Sequence, residues 1–197
     1  MPVIGITGGI STGKTSFCDS LREIVSATFF NADQCARTLV DSDQEVKQLV
    51  AQKFGSAIYS ASGDLNREQL RAIVFADPEK RRALEQILHP RIRRQWASAA
   101  ESRRNSTELF FADIPLLYET GGETLCDRVV VVACSPEIQL QRLMKRTSLE
   151  KSAAEQMIAS QMPLSEKIAR ANHVAWNNGS KSELAGQART LVEFWKL

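Results

Sequence analysis

A chain of 197 residues, 43% of them hydrophobic, has the size of one compact domain with a substantial core. Its formal net charge of +2 gives no global basic field, so charge does not suggest a nucleic-acid surface. Cys18, Cys35, Cys126 and Cys134 form no CxxC pair, and no histidine sits at metal-ligand spacing, so reduced thiols in a cytoplasmic protein are expected. Glycines and a lysine interrupt the N-terminal apolar run, so no signal peptide is expected, and no apolar stretch reaches membrane-spanning length.

Val3-Ile4-Gly5-Ile6 is a short apolar run bounded by glycine, the pattern of a buried parallel strand. A Gly-rich turn comes next, then a helix with Phe17, Leu21, Ile24 and Val25 on one face. Ala27 to Phe30 predicts a second strand that stops at Asn31-Ala32-Asp33. The middle is helical. Leu39, Val46, Leu49, Val50 and Phe54 follow helical spacing, and Asn66 caps a further helix with Gln69 three residues on. Asp77-Pro78 reads as another cap, and Pro90 is predicted to open a long helix carrying Ile92 and Trp96. Residues 40 to 104 therefore form a helical insertion.

Strand character returns at Leu109 to Ala112, ending at Asp113, and again at Val129 to Ala133. Ser135-Pro136 caps the next helix, and residues 147 to 168 are polar and helical. Val174 to Trp176 is a last strand closed by Asn177-Asn178-Gly179, and a C-terminal helix carries Leu184, Ala188, Leu191, Val192 and Trp195. Trp96, Trp176 and Trp195 are expected in the core. Such alternation predicts an α/β fold with a mostly parallel sheet.

Gly8-Gly9-Ile10-Ser11-Thr12-Gly13-Lys14-Thr15 fits GxxxxGK[ST]. It lies after an apolar strand and opens an amphipathic helix, the context that a phosphate-binding loop needs. Glycines allow successive N–H groups to converge on an anion, and the helix N-terminus adds partial positive charge. Lys14 is expected to reach the β- and γ-phosphates, and the Thr15 hydroxyl to ligate Mg²⁺.

Ligands of parallel sheets bind at the carboxyl ends of strands, where Asp33 and Asp113 both fall. Asp113 resembles a carboxylate that helps hold Mg²⁺ through water, and Asp33 could orient or deprotonate an acceptor hydroxyl. A helix cap is the plain structural role for either. Arg142 and Arg146 lie four apart on one helix face, ahead of the polar segment, and could neutralise a transferring phosphoryl group. A solvated surface is the alternative. His89 stands beside Arg91, Arg93 and Arg94, a basic cluster that could receive an anionic acceptor.

Together these motifs resemble the bacterial dephospho-coenzyme A kinase family. Its opening appears as Ile6-Thr7-Gly8-Gly9-Ile10-Ser11-Thr12-Gly13-Lys14-Thr15, and its DAD motif as Asn31-Ala32-Asp33, with Arg37 close behind. Its LHP motif is Leu88-His89-Pro90, and its PLLxE motif is Pro115-Leu116-Leu117-Tyr118-Glu119. The QLxRxxxR pattern fits Gln139 to Arg146, a lid pair fits Gln161-Met162, and the late NxG fits Asn177-Asn178-Gly179. Ser11, Thr12, Asn31, Thr147 and Asn172 depart from the usual family residues.

The resemblance implies a P-loop kinase-like parallel five-stranded sheet flanked by helices, with a helical acceptor subdomain and a helical lid. The core is expected at about 1–39, 105–146 and 172–197, the acceptor subdomain at about 40–104 and the lid at about 147–171. The implied reaction moves a phosphoryl group from ATP, with Mg²⁺, to the ribose 3′-hydroxyl of dephospho-coenzyme A. Asp33, Lys14 and Arg142 would be catalytic. Gly9, Ile10, Ser11, Thr12, Gly13, Lys14, Thr15, Arg146, Asn177 and Gly179 would bind ATP, and Thr15 and Asp113 the metal. Asp33, Arg37, His89 and Glu119 would bind the acceptor. A cytoplasmic monomer without nucleic-acid or membrane partners is expected. Another P-loop kinase of a nucleoside, nucleotide or small metabolite is the nearest rival, and a nucleotide switch a more distant one.

Overall fold

A computed structural model describes residues 2–103 and 106–195. The expected insertion limit at 104, the core restart at 105 and the two chain ends, 1 and 197, lie outside the described residues. The described residues form two compact units, one of residues 2–30 and 99–195, the other Asn31–Ser98. The insertion is expected from residue 40; the smaller unit begins at Asn31, so it includes Asp33 and Arg37.

The larger unit is built on a five-stranded parallel sheet in the order β2-β3-β1-β4-β5, with β1 Val3–Gly8, β2 Thr28–Asn31, β3 Phe110–Asp113, β4 Arg128–Ala133 and β5 His173–Trp176. Strand β1 lies between β3 and β4, with Ile6 opposite Asp113 and Gly8 opposite Val132. A central strand is covered on both faces, which is why all of Val3–Gly8 is buried and uncharged. Ile4 and Ile6 join Phe111, Val130 and Val132 against Phe17, Cys18 and Leu21 of α1 (Lys14–Ile24) and Leu184, Ala188, Val192 and Trp195 of α9 (Lys181–Trp195). Each fully buried large side chain there contributes about 1.5–3 kcal/mol. Phe29 stacks on Phe111 with ring centroids 4.9 Å apart.

Helix α6 (Pro136–Thr147) starts as expected, with the Ser135 hydroxyl accepting from the Ile138 N–H and proline in the first turn. The polar segment after it is two short helices, α7 (Lys151–Ala159) and α8 (Leu164–Arg170), separated by a turn that contains Pro163. Trp176 is a correction. It is 46% exposed, because it ends an edge strand and its side chain points away from the α1/α9 core. Trp195, at 5%, is buried as expected.

In the smaller unit, α2 (Ala32–Ser42), α3 (Gln44–Phe54) and α4 (Arg67–Ala76) each have a capping side chain. Asn31 accepts from Gln34 N–H at 2.7 Å, Asp43 from Val46 N–H at 3.0 Å and Asn66 from Gln69 N–H at 3.0 Å. The apolar run from Leu39 to Phe54 is thus two helices, broken where Asp43 leaves the helical conformation to cap the second.

Pro90 does not open a helix. It lies inside α5 (Pro78–Arg103), which starts at the Asp77 cap and contributes residues to both units. Proline has no N–H for the carbonyl four residues back and crowds it. At the next position along, the Arg91 guanidinium donates to the Ile87 carbonyl at 2.9 Å, so a side chain supports the disturbed turn. Trp96, on the same helix, is 2% exposed.

Candidate active site

The site in the larger unit begins with the turn between β1 and α1. Gly13 has φ 95° and precedes the helix; a Cβ there would lie 1.9 Å from Asn177 Nδ2. A Cβ on Gly8 would lie 2.5 Å from the Val132 carbonyl oxygen. Only glycine fits either place.

The carbonyls of this turn are tied into the protein. The Gly8 oxygen accepts from Lys167 Nζ at 3.3 Å, and the Gly9 oxygen from the Thr12 hydroxyl at 2.9 Å. The Ile10 oxygen accepts from Gln139 Nε2 at 2.9 Å, and the Thr12 oxygen from Asn177 Nδ2 at 2.9 Å. A peptide unit whose carbonyl points into the protein presents its N–H the other way, so these anchors shape a nest for an anion. The Ile10 N–H donates to Gln161 Oε1 at 3.0 Å. Ser11 holds φ 60°, a region that favours glycine, and its hydroxyl is buried with no partner among the described residues.

Lys14 pairs with Asp113, which sits at the end of β3 and is 3% exposed. Thr15, next on α1, is exposed. A hydroxyl and a carboxylate are the hard oxygen donors that Mg²⁺ prefers, so this donor set fits that ion. Among the described residues no group of three or more His, Cys, Asp or Glu could hold a metal. Mg²⁺ would therefore come with phosphate oxygens and keep few protein ligands.

Arg142, on α6, donates from Nη1 to the Asn177 carbonyl at 2.8 Å. With Gly13, Ser16, Asn177, Gly179 and Lys181 it lines a cavity of about 270 Å³ beside the start of α1. Burial raises the Cys134 thiol pKa, and the Arg142 guanidinium, which bonds to it, pulls in the opposite direction. Arg146, four residues on, is exposed at the last turn of α6.

Glu119 Oε1 accepts from the Met162 N–H at 3.1 Å and pairs with Lys167 Nζ at 2.8 Å. Three residues of functional character are not legible as such in the sequence. Lys167 is 0% exposed, Gln139 is 4% exposed, and Thr7 is 0% exposed with its hydroxyl on the Pro115 carbonyl. A lysine in a polar helix reads as solvated, and no motif marks it otherwise. Gln139 stands in the sequence only as part of a motif, with nothing to show its contact to Ile10.

In the smaller unit, Asp33 and Arg37 are exposed and lie four apart on α2, so they share a face. Asp33 is in the first turn of the helix, where a carboxylate also favours the helix dipole. His89 is half-buried on α5. Within the neighbouring basic cluster, Arg91 reaches Glu45 Oε1 at 2.6 Å.

A parallel sheet in this strand order, with a phosphate nest after its central strand and a lysine and carboxylate beside it, defines a P-loop kinase fold. Shikimate kinase from Acinetobacter baumannii shares it, with a TM-score of 0.54 over 100% of this chain and 96% of that one, at 18% identity. A Thermus thermophilus protein of known structure gives a TM-score of 0.73 at 33% identity, covering 97% of this chain and 96% of its own. The dephospho-CoA kinase family model matches residues 2–183. Dephospho-CoA kinase from Anaeromyxobacter dehalogenans is 43% identical over 195 residues, 98% of this chain and 91% of that protein. Its counterpart from Syntrophotalea carbinolica is 40% identical over 196 residues, with the same coverage. The chain belongs to the dephospho-CoA kinase family.

Proposed function

We propose that the protein transfers the terminal phosphoryl group of ATP to the ribose 3′-hydroxyl of dephospho-coenzyme A, giving coenzyme A and ADP in the final step of coenzyme A synthesis. The observation that carries this reading is the phosphate nest with Lys14 beside Asp113, in a chain that matches dephospho-CoA kinases almost from end to end. Magnesium would be held by Thr15 and Asp113, and when bound it offsets charge on the phosphate oxygens.

The residues of the chain do the rest. Gly9, Ile10, Ser11, Thr12 and Gly13 form the turn that surrounds the phosphates, with the Ile10 N–H held by Gln161 and the Thr12 N–H by the Gly9 carbonyl, and Lys14 places a positive charge on them. Asn177 and Gly179 border the cavity that would receive the nucleotide beyond its phosphates. Arg142, with Arg146 from the same helix, offsets charge that spreads over the phosphoryl oxygens during transfer. Asp33 takes the proton of the acceptor hydroxyl late in the reaction, and Arg37, His89 and Glu119 bind the acceptor. Residues 147–171 serve as a lid that excludes water and so suppresses ATP hydrolysis. The protein acts as a cytoplasmic monomer on small molecules, without nucleic-acid or membrane partners. Among the described residues no helix is long and apolar enough to cross a membrane.

A panel of acceptors tests the reading: dephospho-coenzyme A, shikimate, nucleosides and nucleoside monophosphates, each with ATP and Mg²⁺. The highest kcat/KM is expected for dephospho-coenzyme A. A higher value for any other member would move the protein to another P-loop kinase activity. A regulatory switch protein is disfavoured because Asp113 leads into Ile114-Pro115-Leu116 and not into the glycine-containing motif such proteins need.

A further inference from the structure

A lysine removed from water is costly unless its charge is paired and its protons find acceptors. Lys167, on α8, is 0% exposed. Its Nζ meets Glu119 Oε1 at 2.8 Å, the Pro115 carbonyl at 3.2 Å and the Gly8 carbonyl at 3.3 Å. Those three acceptors match the three protons of an ammonium, whereas a neutral amine carries two. They come from the last residue of β1, the segment after β3 and the end of the Pro115–Glu119 stretch.

The Gly8 contact acts directly on the phosphate loop. The Gly8 carbonyl and the Gly9 N–H belong to one planar peptide unit and point in opposite directions. Both flanking residues are glycine, so the backbone itself does little to stop that unit from rotating. The carbonyls of Gly9, Ile10 and Thr12 are held by neutral groups: Thr12, Gln139 and Asn177. Gly8 alone of these is held by a buried charge. Through Glu119, whose Oε1 also takes the Met162 N–H, the same ammonium steadies the segment in which Gln161 meets the Ile10 N–H.

We propose that Lys167 is a positioning residue of the phosphate loop, which locks the Gly8–Gly9 peptide with its N–H aimed at the nucleotide phosphates and couples that lock to the 161–162 segment through Glu119. The proposal deepens the phosphoryl-transfer reading and rests on it.

Lys167→Met keeps most of the length of the side chain and removes every donor. Steady-state kinetics on the folded variant, well below its melting temperature, should show a loss of about 10- to 100-fold in kcat/KM for ATP. The rise in KM should be larger for ATP than for dephospho-coenzyme A, because the lock acts on the phosphate loop. Lys167→Arg keeps the charge and part of the donor set, and should recover part of the loss. A folded Lys167→Met protein with wild-type kcat and ATP KM, altered only in melting temperature, would overturn the proposal. So would an equal rise of both KM values, which means general loosening. Should Lys167→Met fail to fold, Lys167→Gln, which removes the charge, decides: a lower kcat/KM for ATP supports the lock, and wild-type kinetics overturn it. If the wild-type protein itself turns over no ATP with dephospho-coenzyme A, the phosphoryl-transfer reading falls and takes the proposal with it. An active wild type with an indifferent Lys167→Met removes the proposal alone.

Discussion

At the residue scale, the site depends on charges placed where water is scarce. Lys14 lies at the first position of α1 and pairs with the buried carboxylate of Asp113. In Lys14→Ala, ATP turnover is expected to fall by about 10²-fold or more, the cost of removing one electrostatic stabiliser of the transition state. Its circular dichroism should stay native, with a lower melting temperature because Asp113 loses a partner. Near-normal turnover would contradict the role given to the loop. Asp33→Asn keeps the size of the side chain but cannot accept a proton. Its turnover should drop by about 10²–10⁴-fold with little change in substrate binding, and toward the low end if the proton leaves late. Recovery of activity in excess Mg²⁺ would instead make Asp33 an organiser of the metal. Wild-type turnover at ordinary Mg²⁺ would exclude both roles.

At the scale of elements, a strand, a glycine turn and a helix in succession deliver the nest, and each of these parts is visible in sequence because each has a local cause. Apolar strands, Gly13, and the caps Ser135 and Asn66 are dictated by neighbours within a few residues. The anchors of the turn have no such local cause. Gln139, Asn177 and Lys167 reach residues that lie more than a hundred positions away, so no periodicity or cap points to them. Trp176 departs from expectation for a related reason: an apolar side chain at a strand end is buried only if a layer covers it, and β5 is at the sheet edge. Pro90 departs because a proline ahead of a helical run carrying Ile92 and Trp96 reads as the first position of a helix, and an interior proline is rare. It lies next to His89, a residue proposed to bind the acceptor. Pro90→Ala restores a donor for the Gln86 carbonyl, and should raise the melting temperature by an amount equivalent to about 1–3 kcal/mol. The KM for dephospho-coenzyme A should rise while that for ATP holds. A fall in melting temperature would mean that the proline fits the helix without strain.

At the scale of the whole molecule, stability is linked to buried thiols as well as to apolar packing. Burial, with a further push from the charge of Asp113, raises the Cys18 pKa from 9.0 to about 12. The folded protein therefore keeps a proton that the unfolded chain releases above pH 9. This contribution is fully present below pH 9.0 and is lost as pH rises toward 12. Its slope is about 1.4 kcal/mol per pH unit. Denaturant melts from about pH 8 upward should show that decline, and Cys18→Ala should lessen it. An identical decline in the two proteins would show that Cys18 does not titrate on unfolding. Phosphoryl transfer is tested most directly by incubating the purified protein with ATP, Mg²⁺ and dephospho-coenzyme A and mapping the new phosphate by nuclear magnetic resonance. Coenzyme A with a ribose 3′-phosphate is expected, formed in step with ADP and lost in Lys14→Ala. Phosphate at another position, or ADP and free phosphate without coenzyme A, would contradict it.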